Sequence, residues 1–292
     1  MGNPVQAVAF SPQGRNFIMR IVINQITLNN LTLRQAAEEI AKAGIAGISV
    51  WSDKVMAEGI ATSKAIIRDL GLEVSGVCLA GLFTQKGIEG VAGQIDASRR
   101  SIDMAAELGA GSIITVVGGL LPDSKSHDEA RAVAFDALAV TLEHARGTGV
   151  VLSLESLHPM YSPDWSVIST LKDANDWCDR LGPGTSVAVD TYHVWWDKTA
   201  PAEIARAGAA AQLTDFHISD WLMQTESLLM DRGIPGEGVI DNAAWADHMI
   251  AAGHTGWVEV EIFSSRIWAM PPGQALSKIV AGCRTCLGDR VL

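Results

Sequence analysis

Eight short runs of mostly β-branched and apolar residues recur along this chain, most of them followed by a longer stretch with helical spacing. The runs are Arg20–Ile26, Ala46–Trp51, Glu73–Leu79, Ser112–Val117, Val150–Glu155, Ser186–Asp190, Gln212–Ile218 and Trp257–Ile262. Helices are predicted over Thr32–Ala43, Asp96–Leu108, Asp128–Arg146, Val167–Leu181, Pro201–Ala207, Asn242–Ala252 and Gln274–Leu287. Thr32 is placed to cap the first of these, and Gly44, Gly109 and Gly253 to stop theirs. Strands so rich in Val and Ile suit burial on both faces, as in a parallel sheet covered by helices. A doubly wound open sheet would usually carry a glycine-rich first turn, whereas the first strand here runs into Asn24-Gln25-Ile26-Thr27. The pattern predicts an α/β fold, a single (β/α)8 TIM barrel over residues 20–292, with residues 1–19 as an N-terminal extension.

Composition narrows the function classes. With 22 Lys and Arg against 33 Asp and Glu, the net charge of −11 repels phosphate backbones and anionic lipid heads. Nucleic acid and anionic membrane surfaces are therefore not expected partners, while metal cations and neutral small molecules remain open. Cys78, Cys178, Cys283 and Cys286 are too scattered for a secreted disulfide framework, and the Cys283/Cys286 spacing reads as reduced thiols on a helix. No apolar run is long enough to span a bilayer, so a cytoplasmic location is expected.

A parallel barrel gathers the C-terminal ends of its strands at one mouth, where active sites sit. Four consecutive strands, the fifth to the eighth, each bring one candidate ligand there: Glu155, Asp190, His217 and Glu261. Taken singly, each is as readily explained by a salt bridge. Together, three carboxylates and one imidazole in one pocket call for a cation. Oxygen and nitrogen ligands without thiolate favour Mn²⁺, then Co²⁺ or Mg²⁺, with Zn²⁺ possible. His158 and His193 each follow a ligand by three residues and are placed to contact substrate or move protons. Arg232 is the best candidate cation near the mouth, ahead of Arg266. Trp51, Phe83, Tyr161, Trp165, Trp195, Trp196, Trp221 and Trp268 all follow strand ends, and such a set suits stacking on a sugar or aryl ring.

Glu155, Asp190-x-x-His193, His217 and Glu261, with Arg232-Gly-Ile-Pro-Gly-Glu-Gly-Val-Ile-Asp241 between the last two, resemble the sugar phosphate isomerase/epimerase family with its xylose isomerase-like barrel. The resemblance runs from about Arg20 to Leu287. It implies one divalent metal, commonly Mn²⁺, on Glu155, Asp190, His217 and Glu261. It also implies that Glu155 and Glu261 flank a bound keto-sugar as acid/base carboxylates, through a metal-stabilised enediolate. Asp190 and His217 would then be plain ligands, and His193 would touch substrate; Trp51, Trp196 and Arg232 are expected to join it from their own placement after strand ends.

Two departures open a second reading. Epimerases of the family carry an arginine soon after the seventh-strand histidine, where this chain has His217-Ile-Ser-Asp-Trp-Leu-Met223. They also often carry a second Glu after the fifth-strand Glu, where this chain has His158 and Tyr161. The alternative is a lyase eliminating the aglycone of a 3-keto-glycoside with His158 as base, as in the metal-binding subunit of C-glycoside deglycosidases. The isomerase reading goes with a homo-oligomer, the lyase reading with a second, different subunit. A repair nuclease needs more His and Asp ligands and is disfavoured by the charge; a purely sugar-binding barrel has no use for an acid/base pair.

Overall fold

The computed structural model describes residues 19–85 and 90–291. The expected extension therefore lies outside the described residues, except for Met19. That residue is already part of the fold, fully buried and bridged to Val291.

Eight parallel strands close a barrel: β1 (Arg20–Asn24), β2 (Gly47–Trp51), β3 (Glu73–Gly81), β4 (Ser112–Val116), β5 (Val151–Glu155), β6 (Thr185–Asp190), β7 (Leu213–Ile218) and β8 (Trp257–Val260). Each strand pairs with its neighbours in sequence, and β1 closes on β8 through Arg20 opposite Trp257 and Ile23 opposite Val260. The predicted barrel is the observed one. An antiparallel ribbon of Asp220–Trp221 with Arg232–Gly233 stands above β7.

Helices pack outside through stripes the sequence announces. Leu33–Lys42 buries Leu33, Ala36, Ala37 and Ile40, the three-to-four-residue spacing of one helix face. Its start is a capping box: Thr32 Oγ1 accepts from the Gln35 amide at 3.3 Å while Gln35 Oε1 accepts from the Thr32 amide at 3.1 Å. Gly44 follows at φ +73°, a conformation glycine adopts at no steric cost.

Several boundaries differ from expectation for local reasons. Two helices between β2 and β3, Ser52–Glu58 and Ile60–Asp69, were not predicted, because Gly59 splits the pattern into pieces too short to stand out. The helix expected from Val167 begins at Leu171: Thr170 caps it, and the Val167 amide is bonded to the Gly118 carbonyl. The eighth strand ends at Val260, leaving Glu261 just past it.

Candidate metal centre and active site

Strand register brings the four expected ligands together. Asp190 at the end of β6 lies opposite His217 on β7, and Glu155 at the end of β5 lies opposite Ala188, two residues before Asp190. Across the next pair, His217 lies opposite Glu259 on β8, and the strand period of two puts Glu261 on the same face one step higher. Ligand atoms of Glu155, Asp190, His217 and Glu261 all fall within 4.8 Å of one another, and all four residues are buried.

The polar chemistry of this group fits a cation. Among the described residues, Glu155 Oε1 and both ring nitrogens of His217 are buried without a hydrogen-bond partner. Unpaired buried polar atoms are costly, and a divalent ion would satisfy donors of this kind at once. Burial raises the Glu155 pKa well above the usual carboxylate range, and the charges of Glu261 and Asp190 push it the same way. Burial opposes a charge on His217, yet the surrounding carboxylates, Glu259 foremost, lift its pKa to about 10. The cluster is therefore short of positive charge.

Arg232 supplies part of that charge. Its Nη1 lies 3.0 Å from Asp190 Oδ2 and 3.0 Å from Glu261 Oε2, and its guanidinium stacks 4.4 Å from the Tyr192 ring. The expected substrate cation lines the cavity and is at the same time a buried counter-ion of the ligand group. The Pro-Gly-Glu-Gly segment explains how it is held. Asp220 Oδ2 accepts from the Gly236 amide at 2.8 Å, and Asp220 Oδ1 accepts from the Ile240 amide at 3.0 Å. At Gly238 a Cβ would sit 2.2 Å from the Trp221 carbonyl oxygen, so only glycine lets this loop close on the ribbon carrying Arg232.

His193 joins the same group: its Nε2 lies 3.1 Å from Arg232 Nη2, and its Nδ1 accepts from the His158 amide at 3.2 Å. Burial, partly offset by Asp190, lowers its pKa to about 3 and keeps the ring neutral.

A cavity of about 330 Å³ opens onto the cluster, lined among others by Glu155, His193, Arg232, Glu261, Trp51 and Phe263. The aromatic residues divide. Trp51, Tyr161, Trp165 and Trp268 line the cavity. Phe83 is fully buried in the core, Trp195 packs against that core, and Trp196 is 36% exposed and does not line the cavity.

His158, expected as a base, is placed elsewhere. Its Nδ1 accepts from the Met160 amide, and its ring packs 5.8 Å from Trp196 and 5.4 Å from Trp221, off the cavity wall. Pro159 begins a turn directly after it, and the His158 side chain caps that turn. Arg266 pairs with Glu237 rather than reaching the mouth.

Two further residues belong to the site. Glu259 Oε1 lies 3.5 Å from His217 Nε2 and accepts from Asn24 Nδ2 at 2.7 Å, while its Oε2 accepts from Ser75 Oγ at 3.1 Å. Asn24 Nδ2 also reaches Glu261 Oε1 at 3.0 Å. The Val-Glu-Val-Glu alternation of β8 is the signal that places Glu259 on the ligand face.

A protein from Sinorhizobium meliloti 1021 has a solved structure that is 41% identical, covering 91% of this chain and 98% of its own, with a TM-score of 0.88. The 3-keto-D-glucoside 4-epimerase from E. coli shares the fold at 23% identity and TM-score 0.74, over 92% of this chain and 100% of its own. The IOLI protein, solved with a bound zinc atom, shares it at 17% identity and TM-score 0.79, over 93% and 99%. A search of curated proteins found no match. The family model described as xylose isomerase-like TIM barrel matches residues 37–286, and the chain belongs to that family.

Proposed function

We propose that this protein is a divalent-metal-dependent isomerase or epimerase that moves a proton α to the carbonyl of a keto-sugar. The observation that carries the reading is the convergence of Glu155, Asp190, His217 and Glu261 within 4.8 Å, with Glu155 Oε1 and His217 Nδ1 unpartnered among the described residues. Those four side chains would hold the metal, Mn²⁺ being the best match to their oxygen and nitrogen atoms. When bound, the metal supplies a Lewis acid that polarises the sugar carbonyl and offsets the charge of the deprotonated sugar.

The chain's own residues do the rest. Glu155 and Glu261 reach the centre from strands separated by β6 and β7, so they can address a bound sugar from two sides. Burial and the charges of Glu261 and Asp190 push the Glu155 pKa upward, the direction that a carboxyl taking up and returning a proton requires. Neutral His193 and the charged fork of Arg232 border the cavity beside them and would orient sugar hydroxyls. Trp51 and Phe263, in edge-to-face contact at 5.8 Å, would exclude water from the reacting carbon. The keto-sugar named in the E. coli neighbour supports this substrate class.

Chelation to the metal-free form is expected to abolish turnover of keto-sugars, and Mn²⁺ to restore it. Full turnover without metal, or none on a panel of keto-sugars with Mn²⁺, would overturn the reading. The lyase alternative requires His158 to leave its packing against Trp196 and Trp221, so retained turnover in His158→Ala is expected. A homo-oligomer goes with the isomerase reading, and size measurement in solution checks it.

A further inference from the structure

The barrel mouth has two chemically different halves. Strands β5 to β8 bring the ligand group, and the loops above them bring Arg232 and His193, whereas strands β2 to β4 contribute Trp51, Cys78, Leu79, Ile114 and Val116 to the cavity wall. Cys78, Ile114, Val116 and Leu157 form a buried apolar cluster of their own, apart from the core beneath the helices, with Trp51 and Trp165 packed against it.

That wall offers few hydrogen bonds. Trp51 Nε1 is already given to Asn24 Oδ1 at 2.7 Å, Trp268 Nε1 to the Ile26 carbonyl at 2.7 Å, and the Tyr161 hydroxyl to the Leu228 carbonyl at 2.8 Å. Burial, with the nearby charge of Glu261, raises the Cys78 pKa well above its usual value and leaves a neutral thiol, a weak donor. A free sugar carries a hydroxyl on nearly every carbon. Pressed against this wall, those groups would lose water and gain no partner, which weakens binding.

From this segregation we infer that the substrate is a keto-sugar bearing a flat apolar substituent, an aryl group, seated against Ile114, Val116 and Leu79 while the sugar faces the carboxylates. The inference rests on the keto-sugar reading and names its substrate class. A volume of about 330 Å³ lies within the range of small-molecule pockets, about 300–1,000 Å³, and so has room for such a ligand.

Calorimetric titration of the Mn²⁺-loaded protein with phenyl glucoside and with methyl glucoside tests it. Burying the ring should make the phenyl compound bind about 10- to 100-fold more tightly. Val116→Thr, nearly isosteric but bearing a hydroxyl, should narrow that preference. Equal binding, no detectable binding of the phenyl compound, or an unchanged preference in Val116→Thr would overturn the inference. Turnover of keto-sugars with and without a phenyl substituent, assayed in parallel, separates the two readings. If turnover is present and the phenyl preference absent, only this inference falls. If the preference is present and no keto-sugar reacts, the isomerase reading falls instead.

Discussion

The guanidinium of Arg232 lies 3.0 Å from Asp190 Oδ2, inside the group of side chains that would hold a cation. Both residues are almost wholly shielded from water, so each charge depends on the other for its stability in the fold. Arg232→Met removes the positive partner and leaves Asp190 and Glu261 buried and uncompensated. The metal-free variant is expected to lose about 3–5 kcal/mol of stability, with a large part recovered on adding Mn²⁺. Denaturant unfolding with and without metal checks this; an unchanged metal-free stability would contradict it.

Glu259 stands behind His217, tied down by Asn24 and Ser75. Carboxylates in that position fix the orientation of a ligating imidazole. Glu259→Gln is expected to weaken metal binding about 10- to 100-fold while the barrel still folds. Competition with a chelator measures the affinity, and circular dichroism the fold. Wild-type affinity in a folded variant would remove Glu259 from the site.

Metal uptake should release protons. Without metal, burial keeps Glu155 protonated above the usual carboxylate range and the carboxylates hold His217 charged up to about pH 10, so both must lose a proton to ligate. Affinity is therefore expected to fall as pH falls from 8 toward about 6, where protons compete more strongly. Titration at neutral pH in buffers of different ionisation enthalpy should show about one or more protons released per ion. Pure pH-independence would contradict the assignment of these ligands.

Away from the mouth, His254 is buried with its Nε2 3.0 Å from the Trp257 carbonyl, and burial lowers its pKa. The unfolded chain protonates near pH 6.5 while the folded ring resists. Stability is then fully present above that pH and is lost as pH falls from about 6.5 toward the depressed folded value. His254→Asn should flatten the melting-temperature profile over that window. A variant profile parallel to wild type would show that His254 contributes nothing to it.

The barrel was legible because parallel strands must be apolar on both faces, so runs such as Ser112–Val116 stand out from their surroundings. The ligands were legible for the converse reason: Glu155 and Asp190 are charges at the ends of otherwise apolar strands. What escaped depends on contacts distant in sequence. Arg232 looks like a free cation until the Asp220 carboxylate and Gly238 are seen folding its ribbon inward. His158 sits three residues from Glu155, but its ring caps the turn at Pro159 and packs against Trp221. Glu259 differs in kind, since strand alternation alone puts it beside Glu261 and its role could have been read.

Manganese titration of the metal-free protein addresses the central claim most directly. One ion per chain is expected, with binding lost in His217→Ala and in Glu261→Gln, and with keto-sugar turnover returning in proportion to occupancy. A wild-type chain that takes up no ion, or variants that bind it as well as wild type, would contradict the account.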